Sequence, residues 1–323
     1  MNVLRILAKR VAMGVVVAWT VLTTVFLLFS LTDDWVLDGQ EGLLRFAHRD
    51  GAQAEAAVEE MTQQYLASRG LDRPIAEQYV DWMGNMATLD WGYSLSTGEA
   101  VAPLLLRATG RTLAYVLPAL VVAFGAGLSI GLYAAMNRGS WTGRFGVGIA
   151  YLLFAVPGFW VGGMVFSLQW GDHIDRIDPV IAYSPLLYEQ LLPVVLTATV
   201  LLGGYVSYAR AHSLEYVPAT FITLVEAKGA TRVRVAKHVV RNAAIPFFSM
   251  LFTEAVGLLV LAVFVIEVLF GIEGFGLLLL EAVNARDVPV LLGGTVFVIV
   301  FGVLGNIVQD VSYAVLDPKV NAV

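Results

Sequence analysis

Six stretches of the chain, 11–31, 112–136, 146–170, 190–209, 246–270 and 289–316, are apolar over roughly the 20 residues a helix needs to cross a bilayer. A water-soluble fold has no place for so many of them. Within 323 residues they would have to cover one another on every side, and a helix that is apolar all round belongs in a large core or in lipid. Composition agrees: 14% of residues are charged and mean hydropathy is +0.74, where soluble chains carry about 25% charged residues. The expected fold is an all-α polytopic membrane protein with six transmembrane helices.

The first run follows Arg5, Lys9 and Arg10, so a cleaved signal peptide is the competing reading. No small-residue cleavage site stands out near Leu31 and the run is long for a signal core, which favours a retained span. Basic residues then set the orientation. With the N-terminus inside, the inner segments hold Arg5, Lys9, Arg10, Arg138, Arg144, Arg210, Lys228, Arg232, Arg234, Lys237, Arg241 and Lys319, whereas the two short outer loops hold only Arg176 and Arg286. Lys and Arg resist translocation, so both termini are expected in the cytoplasm.

Three segments follow: 1–31, an N-terminal tail with the first span; 32–110, an external helical segment; and 111–323, the core transmembrane region with a cytoplasmic loop at 210–245. In the external segment "AQAEAAVEEMTQQYLASRG" reads as a helix stopped by Gly70. "LDRPIAEQYVDWMGNMA" reads as a second, with Asp72 as N-cap and Pro74 early in its first turn. Their Trp and Met faces are expected to pack on neighbouring helices.

Signals for chemistry are sparse. With no cysteine there is no disulfide, thiolate metal site or Cys nucleophile. The four histidines show no HxxxH spacing, which leaves no metal motif. No phosphate loop of the form GxxxxGK[ST], nucleophile elbow, HExxH or Gly-rich dinucleotide turn occurs. A net charge of −6 argues against a nucleic-acid partner. No catalytic residue and no metal ligand are therefore assigned.

The densest positive charge lies in "VEAKGATRVRVAKHVVRNAAIP", residues 225–246. Arg234, Lys237, His238 and Arg241 share one helical face, and Ala236, Val239, Val240 and Ala243 the opposite one. Gly229 suits a break between two short helices. Contact with anionic headgroups explains the charge, but not a helix–Gly–helix unit of about 30 residues, which is long for a connection.

The longer segment "EYVPATFITLVEAKGATRVRVAKHVVRNAAIP" resembles the cytoplasmic "EAA" loop of binding-protein-dependent ABC transporter permeases. It is most similar to the dipeptide/oligopeptide (also nickel) branch, whose loop runs approximately "DYVRTARAKGLSxxxVxxRHALRNALIP". "GLDRPIAEQYVDWMGNMATLDWGYS", "NRGSWTGR", "AVPGFWVG", "IEVLFGIEGFGLLLLEAVNARDVPVLLG" and "DVSYAVLDPKV" resemble further segments of that branch, in its order. One departure is plain: Thr223, Leu224 and Val225 stand where the branch has Arg-Thr-Ala.

The resemblance implies a type I ABC importer permease in the cell membrane, carrying di- or oligopeptides, or alternatively oligosaccharides or nickel. It implies as partners a second homologous permease subunit, one or two cytoplasmic ABC ATPases that bind ATP and Mg, an extracellular solute-binding protein and the lipid bilayer. The chain itself would hold no cofactor. Its ATPase-coupling residues would be Glu226, Ala227, Lys228, Gly229, Ala230, Arg232 and Arg234. A stand-alone secondary transporter is the other class considered, but the six runs show neither an inverted repeat nor a pair of broken helices.

For the pathway, Glu254 is the candidate lining residue, because an ionisable group at mid-span costs about 2.5–3.5 kcal/mol. It faces either a cavity or a neighbouring helix. Glu267 and Asp310 lie near span ends, where snorkelling or capping suffices. Pro157 and Gly158 imply a kink or a close contact in the third span.

Overall fold

The protein was analysed as a computed structural model, which describes residues 3–32, 35–47, 51–158, 160–164, 190–243, 246–248, 250–251 and 263–316. Among these, every regular element is a helix, and one isolated bridge pairs Tyr93 with Ala100. The helices are α1 (Val3–Ser30), α2 (Trp35–Ala47), α3 (Gly51–Arg69), α4 (Ile75–Thr88), α5 (Val101–Met136) and α6 (Trp141–Ala155). They continue with α7 (Leu192–Tyr216), α8 (Thr220–Ala227), α9 (Arg232–Asn242), α10 (Val263–Phe270), α11 (Phe275–Ala285) and α12 (Val288–Leu316). The chain forms two compact units, Ala12–Gly92 and Tyr93–Val323 with Met1–Val11.

In the first unit α3 stops at Gly70, where the Leu71 amide donates back to Leu66 O at 2.8 Å, as expected. The aromatic face of α4 packs on α1. Phe26 meets the Tyr79 ring edge-on at 5.2 Å and the Trp82 ring at 5.5 Å, and Thr23 Oγ1 lies 2.7 Å from Tyr79 OH. The expected Asp72 cap is corrected. Pro74 occupies the N-cap position with no side-chain cap bond, and its carbonyl accepts from the Glu77 and Gln78 amides. The reason is that proline disfavours helical geometry in the residue before it, which keeps Asp72 and Arg73 outside the helix. The Gln78 amide group instead donates to Leu71 O and Arg73 O at 3.0 and 2.8 Å.

In the second unit α5 and α7 form the central pair. Gly127 and Gly131, a GxxxG spacing, let the α7 backbone come close; a Cβ at Gly131 would sit 2.7 Å from Val206 O. Without a hydrophobic drive between helices in lipid, such small residues permit the packing that holds them. Around the seam lie Tyr115, Val116, Ala119, Leu120 and Ala123 of α5, with Leu196, Leu201 and Tyr205 of α7.

Four helical segments are long and apolar enough to cross a membrane: Ala8–Ser30, Val101–Met136, Leu192–Tyr216 and Val288–Gln309. They match the first, second, fourth and sixth expected spans. Within the third, α6 ends before Pro157, whose carbonyl then accepts from Trp160 N at 2.9 Å to start a new turn. A Cβ on Gly158 would stand 3.1 Å from Val200 of α7, so the break and the close contact coexist. The remainder of the third run, and the fifth apart from its ends, lie outside the described residues. Helix ends also overrun the hydropathy boundaries. α5 starts at Val101 rather than 112, and its 36 residues extend about 54 Å, well beyond a bilayer core of about 30 Å. A helix ends where its caps are, not where charge first appears.

Candidate functional site

The loop between α7 and the fifth run is a helix–turn–helix. α8 closes with a double bond pattern: Gly229 N donates to Glu226 O at 2.8 Å and Ala230 N to Val225 O at 3.3 Å. This is the Schellman arrangement, which needs a left-handed residue at its pivot. Gly229 supplies it with φ +78°, and nothing lies within 4 Å of where its Cβ would be. The glycine therefore serves the turn and not a close approach.

Both helices are fastened to the membrane core from one side. Ile222 of α8 and Val235 and Val239 of α9 are 1%, 3% and 0% exposed. They pack with Leu132 and Met136 at the end of α5, with Tyr216 and Val217 at the end of α7, and with Val225 and Ala230 beside the turn. Ala243, also buried, joins Ala209 and Phe247. The apolar face of α9 expected from its spacing is the face that packs, and Arg234, Lys237 and Arg241 are exposed. A further tie links the loop to the connection after α5: Arg232 Nη1 donates to Asn137 Oδ1 at 3.2 Å.

Of the candidate coupling residues, Glu226, Ala227, Lys228, Gly229, Arg232 and Arg234 are exposed and Ala230 is half-buried. Beside them stand three exposed apolar side chains that sequence reasoning did not select: Phe221 (37%), Leu224 (58%) and Val233 (80%). The signal was present. Phe221 and Leu224 are i, i+3 on α8, offset from the buried Ile222 and half-buried Val225. The departure Thr223-Leu224-Val225 thus divides its residues between an outward face and the anchor.

At the opposite end of the unit two buried carboxylates organise the connection from α10 to α12. Glu267, fully buried, accepts from Thr112 Oγ1 at 2.5 Å, from Tyr115 OH at 3.3 Å and from the Leu277 amide at 2.8 Å. Thr112 Oγ1 accepts in turn from Phe275 N at 2.8 Å. The pair therefore caps the start of α11, so of snorkelling and capping it is capping that Glu267 performs. Arg111 pairs with Glu273 beside it, on the exposed side.

Asp287, also fully buried, accepts at Oδ2 from Ser94 Oγ (2.6 Å), Ser96 N (3.1 Å) and Ser96 Oγ (2.9 Å). At Oδ1 it accepts from Val290 N in the first turn of α12 (3.4 Å). Burial pushes this carboxyl up, but the donors from Ser94, Ser96 and Leu95 outweigh it and hold the group below the ordinary carboxylate range. The partners of neither carboxylate are legible from spacing, although Thr112 and Tyr115, two polar groups at i, i+3 in an apolar run, mark where a buried acceptor is needed. Glu254 lies outside the described residues. Among those described, no three His, Asp or Glu side chains converge on a metal-sized point.

Residues 127–322 match the family described as binding-protein-dependent transport system inner membrane component. A Brucella ovis protein whose name includes "peptide permease protein" is 30% identical over 96% of each chain. An oligopeptide transport system permease protein of Bacillus subtilis is 29% identical over 80% of this chain and 84% of its own. A dipeptide transport system permease protein of Escherichia coli K12 is 28% identical over 80% and 84%.

Proposed function

The chain belongs to the inner membrane components of binding-protein-dependent transport systems, and from that premise we propose that it is the permease subunit of an ATP-driven importer of di- and oligopeptides. It is a multi-pass membrane protein of all-helical build. In this reading it crosses the membrane six times with both termini inside, and it lines half of a translocation pathway completed by a second homologous permease. ATP and Mg are bound by one or two partner ATPases, and an extracellular solute-binding protein delivers the substrate.

The observation that carries the reading is the α8–α9 unit. Its Schellman turn fixes the two helices relative to each other, and Ile222, Val235 and Val239 fasten them to the inner ends of α5 and α7. The exposed face, with Phe221, Leu224, Val233, Glu226, Lys228 and Arg234, has the mixture of apolar and charged groups suited to a protein groove. A displacement there is passed to the spans because the anchor is packed and not hinged. Coupling of this kind is a two-state rearrangement biased by ATP, not a reaction performed by this chain. The names of the relatives support peptides as the cargo; binding-protein specificity decides among peptides, oligosaccharides and nickel.

The test is to purify the intact complex from its membrane through a tag on this chain, then identify the copurifying subunits and the ligand on the binding protein. ATPase subunits together with a peptide-loaded binding protein are expected. A sugar or nickel would replace the cargo and keep the mechanism. Full uptake by this chain alone in vesicles would overturn the importer reading. The isolated chain is expected to hydrolyse no ATP.

A further inference from the structure

A cavity of about 610 Å³ lies where α5, α6 and α7 meet, at the end that carries the coupling unit. Its lining includes Arg138, Arg144 and Arg210 with Asn137, Ser140 and Tyr151, and no acidic side chain. Two of the arginines use one guanidinium nitrogen to satisfy backbone carbonyls: Arg138 donates to Leu214 O at 3.1 Å and Arg144 to Gly139 O at 2.9 Å. These bonds orient the side chains and leave most of each donor fork unspent, since a guanidinium carries five N–H groups. Three positive charges around one concavity, two of them held by the backbone and none paired with a carboxylate among the described residues, attract an anion able to accept several hydrogen bonds at once.

The neighbouring surface narrows the choice of anion. Trp141, Phe145, Ile149 and Leu152 of α6 are 75%, 54%, 40% and 64% exposed. Their spacing of i, i+4, i+8 and i+11 puts them on one side of the helix. Trp141 and Phe145 stack with ring centroids 5.3 Å apart and planes 11° apart. The cavity residues Arg144, Gly148 and Tyr151 run along the adjoining edge of the same helix. An aromatic pair at the level of the arginines, continuing into an aliphatic stripe, is the surface that a headgroup and its acyl chain would meet in that order.

We propose that this cavity is a binding site for the phosphate headgroup of an anionic phospholipid of the cytoplasmic leaflet, whose acyl chain lies along the Phe145–Leu152 stripe. The inference rests on the inside placement of this end but not on the cargo or on ATPase docking. Arg232, bonded to Asn137 of the same lining, connects the site to the coupling unit. A bound lipid would therefore brace α9 against the end of α5.

The experiment is native mass spectrometry of the delipidated full-length chain, titrated separately with dioleoyl phosphatidylglycerol, dioleoyl phosphatidylcholine and inorganic phosphate. Phosphatidylglycerol is expected to be retained preferentially. Near a membrane each basic residue is worth about 1 kcal/mol, so Arg210→Gln should weaken retention roughly fivefold. Replacing Arg138, Arg144 and Arg210 together by Gln should weaken it on the order of a hundredfold. The control removes the same charge from the exposed face of α9 (Arg234, Lys237 and Arg241 to Gln) and should leave retention unchanged. If the triple cavity variant is not monodisperse, Arg210→Gln decides alone, because that side chain holds no backbone carbonyl among the described residues. Equal retention of the two lipids, or equal loss in cavity and control variants, would overturn the proposal. So would displacement of phosphatidylglycerol by an equal concentration of inorganic phosphate, which would assign the cavity to a soluble anion.

Discussion

The two ends of the transmembrane unit are fastened by different physics. At the end that carries α8 and α9, these two helices are held by Ile222, Val235 and Val239 among aliphatic and aromatic neighbours, contacts that have no direction and accept some change of shape. At the opposite end, Glu267 and Asp287 are held by short hydrogen bonds from Thr112, Leu277, Ser94 and Ser96, in which every donor has one place to be. An apolar anchor suits the proposed coupling role of α8 and α9, since it lets them move with the helices they grip. A carboxylate clamp fixes the connection from α10 to α12 and, through Ser94 and Ser96, the hairpin before α5.

The contrast can be broken by substitutions of matched size. Glu267→Gln keeps the shape but turns an amide donor towards a hydroxyl or an N–H. Leaving such a buried group unsatisfied costs about 1–3 kcal/mol, so the melting temperature of the purified chain should fall more than for any conservative change in the anchor of α8 and α9. No change would mean that the clamp is not built on this carboxylate. Next in size is the turn. A side chain at Gly229 must adopt φ +78°, at a cost of about 1–2 kcal/mol. Gly229→Trp is expected to leave insertion intact while lowering uptake per ATP hydrolysed in the reconstituted complex. Unchanged uptake would sink the coupling role.

Smaller is Ile222→Val, which removes one methylene from the anchor and should cost about 0.5–1.5 kcal/mol, read as a modest drop in melting temperature with coupling retained. A loss as large as that of Glu267→Gln would erase the proposed difference between the ends. Smallest is a pH effect. The folded Asp287 carboxyl lies below its ordinary value, so its contribution is complete above the unfolded pKa of about 3.9 and is lost as pH falls through the lower folded value. The advantage of the native chain over Asp287→Asn should therefore be constant from pH 7 to about pH 4 and shrink below that. An advantage that grew on acidification would contradict the hydrogen-bond assignment.

The difference between the ends also explains what was legible in the sequence. The α8–α9 unit is local: its faces follow helical spacing and its pivot is a glycine three residues before α9, so Gly229 and the buried side of α9 can be read directly. The clamp is not local. Ser94 and Asp287 are 193 residues apart and Thr112 and Glu267 155 apart, and no periodicity brings such residues together. Phe221 and Val233 are not legible as an outward face, because an apolar residue in a basic loop reads as anchor until burial separates the two faces. Asp72 reads as a cap on the preference of aspartate alone, whereas the restraint that Pro74 places on the residue before it moves the helix start past both.

The proposed docking of α8 on an ATPase can be tested by cross-linking, since the sequence contains no cysteine. Leu224→Cys, on the exposed face of α8, and Val121→Cys, exposed on the apolar side of α5, are treated in the intact complex with a thiol-to-amine reagent. We expect an ATPase adduct from position 224 and none from position 121. An ATPase that copurifies yet gives no adduct at 224, or gives it equally at 121, would place the coupling contact elsewhere.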